Sequence, residues 1–160
     1  MLRRTIQTKE NTMNTEKMTN NSVKNELEKI NLYLAKCLWM DFEFCRMDAG
    51  EIVLAGSIDH SFNRYDIEII FEQPHFVSSL LFWHTDTSKA FIQLVSETEE
   101  RELNDKYRIE RGNFIFQINV EGFENPPIFI AAKKISYKIF NENPFCPVQT
   151  SNTGIPPARK

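Results

Sequence analysis

Three histidines, three cysteines and 22 carboxylates are the side chains of this chain with obvious chemical capability. His60, His75 and His84, with Asp59 and Asp86 close by in sequence, invite a metal centre. A catalytic zinc needs three protein ligands converging to about 2.0–2.3 Å of one point. Each histidine follows a segment read below as a strand. Alternating strand direction puts His60 and His84 at one end of the sheet and His75 at the other. At most two of them meet, with Asp59 or Asp86 as a third ligand, and no established ligand spacing supports the set. The histidines read as polar residues at strand ends.

Nucleophilic chemistry is no better supplied. Cys45 falls on a strand without a histidine near it in sequence, and Cys37 sits at a helix end, where a buried thiol behaves as a small hydrophobe. Ser78-Ser79 lacks the Gly-x-Ser-x-Gly turn that exposes a hydrolase serine. Five glycines, never closely grouped, leave no loop to cradle phosphate. The Asp-x-Glu alternations read as the wet face of a strand. With no complete set of catalytic roles, the sequence reads as a non-enzyme that uses neither metal nor cofactor.

The elements that must position these residues follow from hydrophobic patterning. All 19 aromatic residues lie between Tyr33 and Phe145, which marks a β-rich body with a polar lead-in and a polar tail. Residues 1–21 read as a disordered extension, 22–145 as one globular domain and 146–160 as a disordered tail. A body of this size buries enough surface to need no disulfide or metal staple. The odd cysteine count, without a Cys-x-x-Cys pair, points to free thiols in a reducing compartment. The opening Met1-Leu-Arg-Arg-Thr-Ile6 lacks the apolar stretch of a secretory signal, and no run reaches the 18 apolar residues of a membrane span. The expected location is cytoplasmic.

Ser22 reads as an N-cap, and Val23, Leu27, Ile30, Leu34 and Leu38 form one apolar stripe on a helix over 22–36. A first strand then alternates Leu38, Met40, Phe42 and Phe44 against Trp39, Asp41, Glu43 and Cys45. Asp48-Ala-Gly50 reads as a tight loop in which Gly50 takes positive φ. The second strand, Glu51 to Ile58, turns Ile52, Leu54 and Ile58 inward. The third turns Tyr65, Ile67, Ile69 and Phe71 inward, and Gln73-Pro-His75 ends it. Phe76–Trp83 and Lys89–Val95, apolar on two sides, read as central strands. Ser96–Asp105 reads as a helical turn or loop, Tyr107–Arg111 and Asn113–Val120 as extended pieces bent at Gly112, and Ile128–Phe140 as a last long strand or two. Short connections favour an antiparallel meander. The expected fold is α+β: one N-terminal amphipathic helix on six to eight strands, forming a curled sheet, sandwich or half-barrel.

Charge gives the one positive functional signal. Residues 31–145 hold 11 basic and 18 acidic side chains, a net of −7. Such a surface repels nucleic-acid backbones and favours approach of a basic partner. If the first three strands pair in order, the side away from the core carries Asp41 and Glu43, then Val53 and Ala55, then Asp66, Glu68 and Glu72. Small apolar residues would lie between rows of carboxylates that steer a basic protein. The same face also suits the ordinary solvated side of an antiparallel sheet. The reading is a protein–protein interaction module, similar in general character to the immunity proteins that neutralise basic toxins, with no nucleic-acid or membrane partner. The alternative is a small-ligand or carbohydrate-binding domain with an aromatic-lined pocket, in which Trp39 or Trp83 is exposed for stacking.

Overall fold

A computed structural model describes residues 20–37, 39–59, 64–85, 89–122 and 126–142. Leu38, His60, Asp86, Cys146 and most of the two expected tails lie outside the described residues, as does any test of their disorder. The first helix, α1, covers 20–34. It already includes Asn20 and Asn21, so Ser22 lies inside it rather than capping it. The stripe behaves as its spacing requires, with Val23, Leu27, Ile30 and Leu34 buried.

Seven strands follow among the described residues: β1 (Met40–Met47), β2 (Glu51–Ser57), β3 (Ile67–Ser78), β4 (Phe82–Thr85), β5 (Ile92–Leu94), β6 (Phe114–Ile118) and β7 (Ile128–Ile139). A second helix, α2 (Glu97–Tyr107), lies between β5 and β6. All pairings are antiparallel, in the order β4-β1-β2-β3-β7-β6-β5. The fold is α+β, a curled half-barrel whose concave side is filled by α1. Phe42, Leu54, Ile69, Phe71, Phe116 and Ile130 meet the α1 stripe there. The two ends of the sheet approach over the helix: Phe42 stacks on Phe91 at 4.4 Å, and the Glu121 amide donates to the His84 carbonyl at 3.1 Å. Asn31 of α1 closes the β5 end. Its Oδ1 accepts from the amides of Phe91 and Ile92, and its Nδ2 donates to the Ile92 carbonyl. An edge strand would otherwise present those groups to another chain.

Several local expectations are corrected. Phe76–Trp83 is not one central strand: Phe76–Ser78 end β3, and Phe82–Thr85 form the edge strand β4, which returns to pair with β1. β5 is the opposite edge. Neither edge is buried on two sides: Trp83 and Thr85 are buried while Phe82 and His84 are exposed, and Ile92 is buried while Gln93 is exposed. Gln73-Pro-His75 does not stop β3. The β2 pairing ends where the Gln73 amide donates to the Gly50 carbonyl, but β3 runs on beside β7 with Pro74 in register with Ala132. Gln73 at φ 50° and a bulge between Pro74 and Phe76 absorb the turn instead. Gly50 does not adopt positive φ; the Asp48 carboxylate holds that loop by accepting from the Gly50 and Glu51 amides. Tyr107 ends α2 rather than starting an extended segment, and Ser96 is its N-cap. Gly56 is the glycine the core demands. A Cβ there would lie 2.8 Å from Phe42 and 2.9 Å from Ile67.

Candidate functional site

Pairing registers define the convex face row by row. Phe82 faces Glu43, which faces Ala55, then Glu68, then Lys138. The next row toward the β1 start runs His84, Asp41, Ser57. Toward the other end, Arg46 faces Val53, Ile70 and Ser136, and Glu51 faces Glu72 and Lys134. Strands lie about 4.8 Å apart, so Glu43 and Glu68 stand about 10 Å apart across Ala55.

Four of the five carboxylates expected at a contact surface are on this face: Asp41, Glu43, Glu68 and Glu72. Asp66 is not. It precedes β3 in a bend, is 3% exposed, and turns inward. Its Oδ2 accepts from the Ile58 amide at 2.8 Å and its Oδ1 from Asn141 Nδ2 at 2.9 Å. Its carbonyl also accepts from the Phe140 amide. Asp66 therefore ties β2, β3 and the end of β7 together, and a partner cannot reach it. The same bend reverses Tyr65, which was expected inward. Its hydroxyl crosses the convex face to donate to Glu43 at 2.9 Å. Alternation fails at both residues because β3 begins only at Ile67.

The acid rows are not uniform. Glu72 lies between Glu51, which Arg46 pairs, and Lys134 in register. That end of the face is close to charge balance. The β1–β4 end is different. Asp41 pairs with His84, and Phe82 sets its ring edge-on to His84 at 5.3 Å. Phe82 is 47% exposed, and Leu81 before it is 81% exposed. Trp39 precedes β1 on the Asp41 phase and is 52% exposed, its indole N–H held by the Ile58 carbonyl at 3.0 Å. Trp83, the other tryptophan in question, is buried against Phe42 and Phe44. Aromatic and acidic side chains thus alternate along the β1–β4 surface: Trp39, Asp41 and Glu43 on one strand path, His84 and Phe82 on the next.

The sequence identified Asp41 and Glu43 but missed Phe82, His84 and Leu81, because only the return of β4 to β1 brings them beside those acids. The signal available was the run Leu80-Leu81-Phe82 directly after Ser78-Ser79, where a turn can leave apolar side chains exposed.

Metal and nucleophilic chemistry gain nothing from the geometry. Among the described residues no group of three His, Cys, Asp or Glu could hold a metal ion. His75 lies on the far half of β3, accepting from the Glu110 amide at 3.5 Å, while His84 pairs with Asp41 on β4. His60 lies outside the described residues. Cys37 is buried, and burial first, then the charge of Asp66, pushes its thiol up to about 11, which suppresses the thiolate. Among the described residues no helix is long and apolar enough to cross a membrane. Comparison with protein-family models, curated proteins and solved structures returned no match.

Proposed function

We propose that this chain is a non-enzymatic, cytoplasmic interaction module that binds a basic protein through the β1–β4 surface, in the way an immunity protein covers a basic toxin. One observation carries the reading: half-exposed Trp39 and Phe82 alternate there with Asp41 and Glu43. Tryptophan is a frequent interface anchor, and an aromatic face beside a carboxylate suits an incoming Lys or Arg through both cation–π and charge contacts. The body charge of −7 adds long-range steering.

The test is capture from source-cell lysate with full-length protein, followed by binding kinetics with the purified retained protein. Trp39→Ala with Phe82→Ala should weaken binding at least tenfold, mainly through faster dissociation. Reversal of Asp41, Glu43 and Glu68 to Lys should slow association and remove its salt dependence. Circular dichroism of both variants should match the parent. A folded charge-reversed variant that binds at the original rate would eliminate this surface. A retained partner that is acidic would eliminate the chemistry.

A further inference from the structure

A second site lies at the opposite end of the sheet, independent of the β1–β4 surface. A cleft of about 820 Å³ opens between the first turns of α1 and α2, over the start of β6. Its apolar floor is Leu94, Val95, Phe114 and Ile115, and Phe114 is the one aromatic among the described lining residues. Around it stand Lys24 of α1, Lys133 of β7, and Glu97 and Glu100 of α2. These opposite charges do not satisfy one another. Lys24 and Glu100 form no ion pair among the described residues; Glu97 reaches only Arg101, at 4.0 Å. Among the described residues, the one hydrogen bond of the Lys133 ammonium is to the Arg111 carbonyl, at 3.5 Å.

Asn113 supplies a second, separate observation. It lines the cleft and is only 8% exposed. Its Nδ2 donates to the Glu110 carbonyl at 2.7 Å, which fixes the amide orientation and leaves Oδ1 as the other terminus. That Oδ1 is buried with no hydrogen-bond partner among the described residues. An unmet buried acceptor is costly, and a ligand donor is one way to satisfy it. The oxygen is shielded from solvent, so a ligand reaches it only as the lining shifts.

From this we infer that the cleft binds a small zwitterion with an apolar body, of the class of short apolar peptides. The ligand ammonium lies toward Glu97 and Glu100, its carboxylate lies toward Lys24 and Lys133, its peptide N–H serves the Asn113 acceptor, and its side chains rest on Leu94, Phe114 and Ile115. A simple anion or cation would face two like charges, and a neutral hydrocarbon would leave all four unmatched. The volume falls within the usual range for small-molecule sites.

The experiment is calorimetric titration of the full-length protein with leucyl-leucine, with N-acetyl-leucyl-leucine (no ammonium) and leucyl-leucine amide (no carboxylate) as controls. The expected result is saturable binding of the dipeptide and at least tenfold weaker binding of each control. Glu100→Gln should lose most of the preference for the free ammonium, and Lys133→Met most of the preference for the free carboxylate. Lys24 and Glu100 are exposed on their helices and Lys133 is half-buried, so these variants should fold, which circular dichroism checks. No dipeptide binding, equal binding of the controls, or unchanged selectivity in both variants would each overturn the inference.

Discussion

The two ends of the convex face carry different outward residues and are finished in different ways. Beside β6 and β7 the outward positions are Ile115, Phe129 and Ala131, and Leu103 of α2 and Ile109 just beyond it close over them. Beside β1, β2 and β3 the outward positions are Glu43, Val53, Ala55, Glu68, Ile70 and Glu72, and no described helix packs on them. Val53, Ala55 and Ile70 are nevertheless buried. Register sets Arg46 opposite Val53 and places Ala55 between Glu43 and Glu68, so long polar side chains can cover small apolar ones with their stems. The patch of Ile115, Phe129 and Ala131 is covered by a helix, while Val53, Ala55 and Ile70, bordered by Arg46, Glu43, Glu68 and Ser136, are buried by their described neighbours alone. Among the described residues neither device is present at the β1–β4 edge, where Trp39, Leu81 and Phe82 are exposed. That contrast is why the proposed interface is placed there.

The largest expected effect breaks the covered end. Ile115→Ala, beneath α2, should destabilise by about 2–5 kcal/mol through cavity formation, as should Ile67→Ala and Phe71→Ala in the concave core. Gly56→Val tests the opposite failure, since a side chain would drive into Phe42, Met40 and Ile67. Overpacking there should cost roughly 1–3 kcal/mol or more. Both are read from denaturant midpoints. If Ile115→Ala has no effect, α2 is an ornament on the sheet rather than its cover.

On the self-covered end the effect should be intermediate. Ile70→Val should cost about 0.5–1.5 kcal/mol, because one methyl leaves a buried site that has no helix above it. A loss as large as that of Ile115→Ala would show that something substantial packs on this end as well.

What the sequence made legible follows from which physics is local. The α1 stripe, the alternation of Ile67, Ile69 and Phe71, and the long β7 were readable because burial on one face imposes a period. The return of β4 to β1 was not, since Phe76–Trp83 is apolar on either side of Ser78-Ser79 with no proline or glycine to mark a turn, and its division at Ser79–Leu81 depends on where neighbouring strands end. Asp66 read as outward for a similar reason: parity holds only inside a strand, and the bend before Ile67 resets it. Asp41 and Glu43 were found from alternation on one strand. Phe82 and His84 needed a pairing between segments about 40 residues apart, for which alternation gives no signal.

Alkaline pH probes the seal at the β1–β3 end, where Tyr33, Cys37 and Asp66 meet. Burial raises the Tyr33 hydroxyl well above its ordinary value, with Cys37 and then Asp66 adding to the shift, and it pushes Cys37 up to about 11 from 9.0. Both acids are therefore held neutral in the fold more strongly than in the open chain. Their contribution to stability is complete below the open-chain pKa and is lost as pH rises, for Cys37 between about 9 and 11. Melting temperature should decline across that window, and Cys37→Ala should flatten the decline even though it melts lower at pH 7. An equally steep decline in the variant would remove Cys37 from the account.

The smallest effect is the most direct check of the comparison. Glu68 and Ile115 both point outward from the same sheet, one among charged neighbours and the other under α2. Glu68→Ala should change stability by less than about 0.5 kcal/mol, as surface substitutions do. Lys138, its register partner on β7, makes no ion pair with it among the described residues, so removing either should leave the other's contribution unchanged. A double-mutant cycle over Glu68 and Lys138 should return a coupling within about 0.3–0.5 kcal/mol of zero, the range expected of independent sites. A larger coupling would mean that the two side chains form part of the cover over Ala55. The uncovered end would then owe its burial to charge pairing, not to the stems of unpaired side chains.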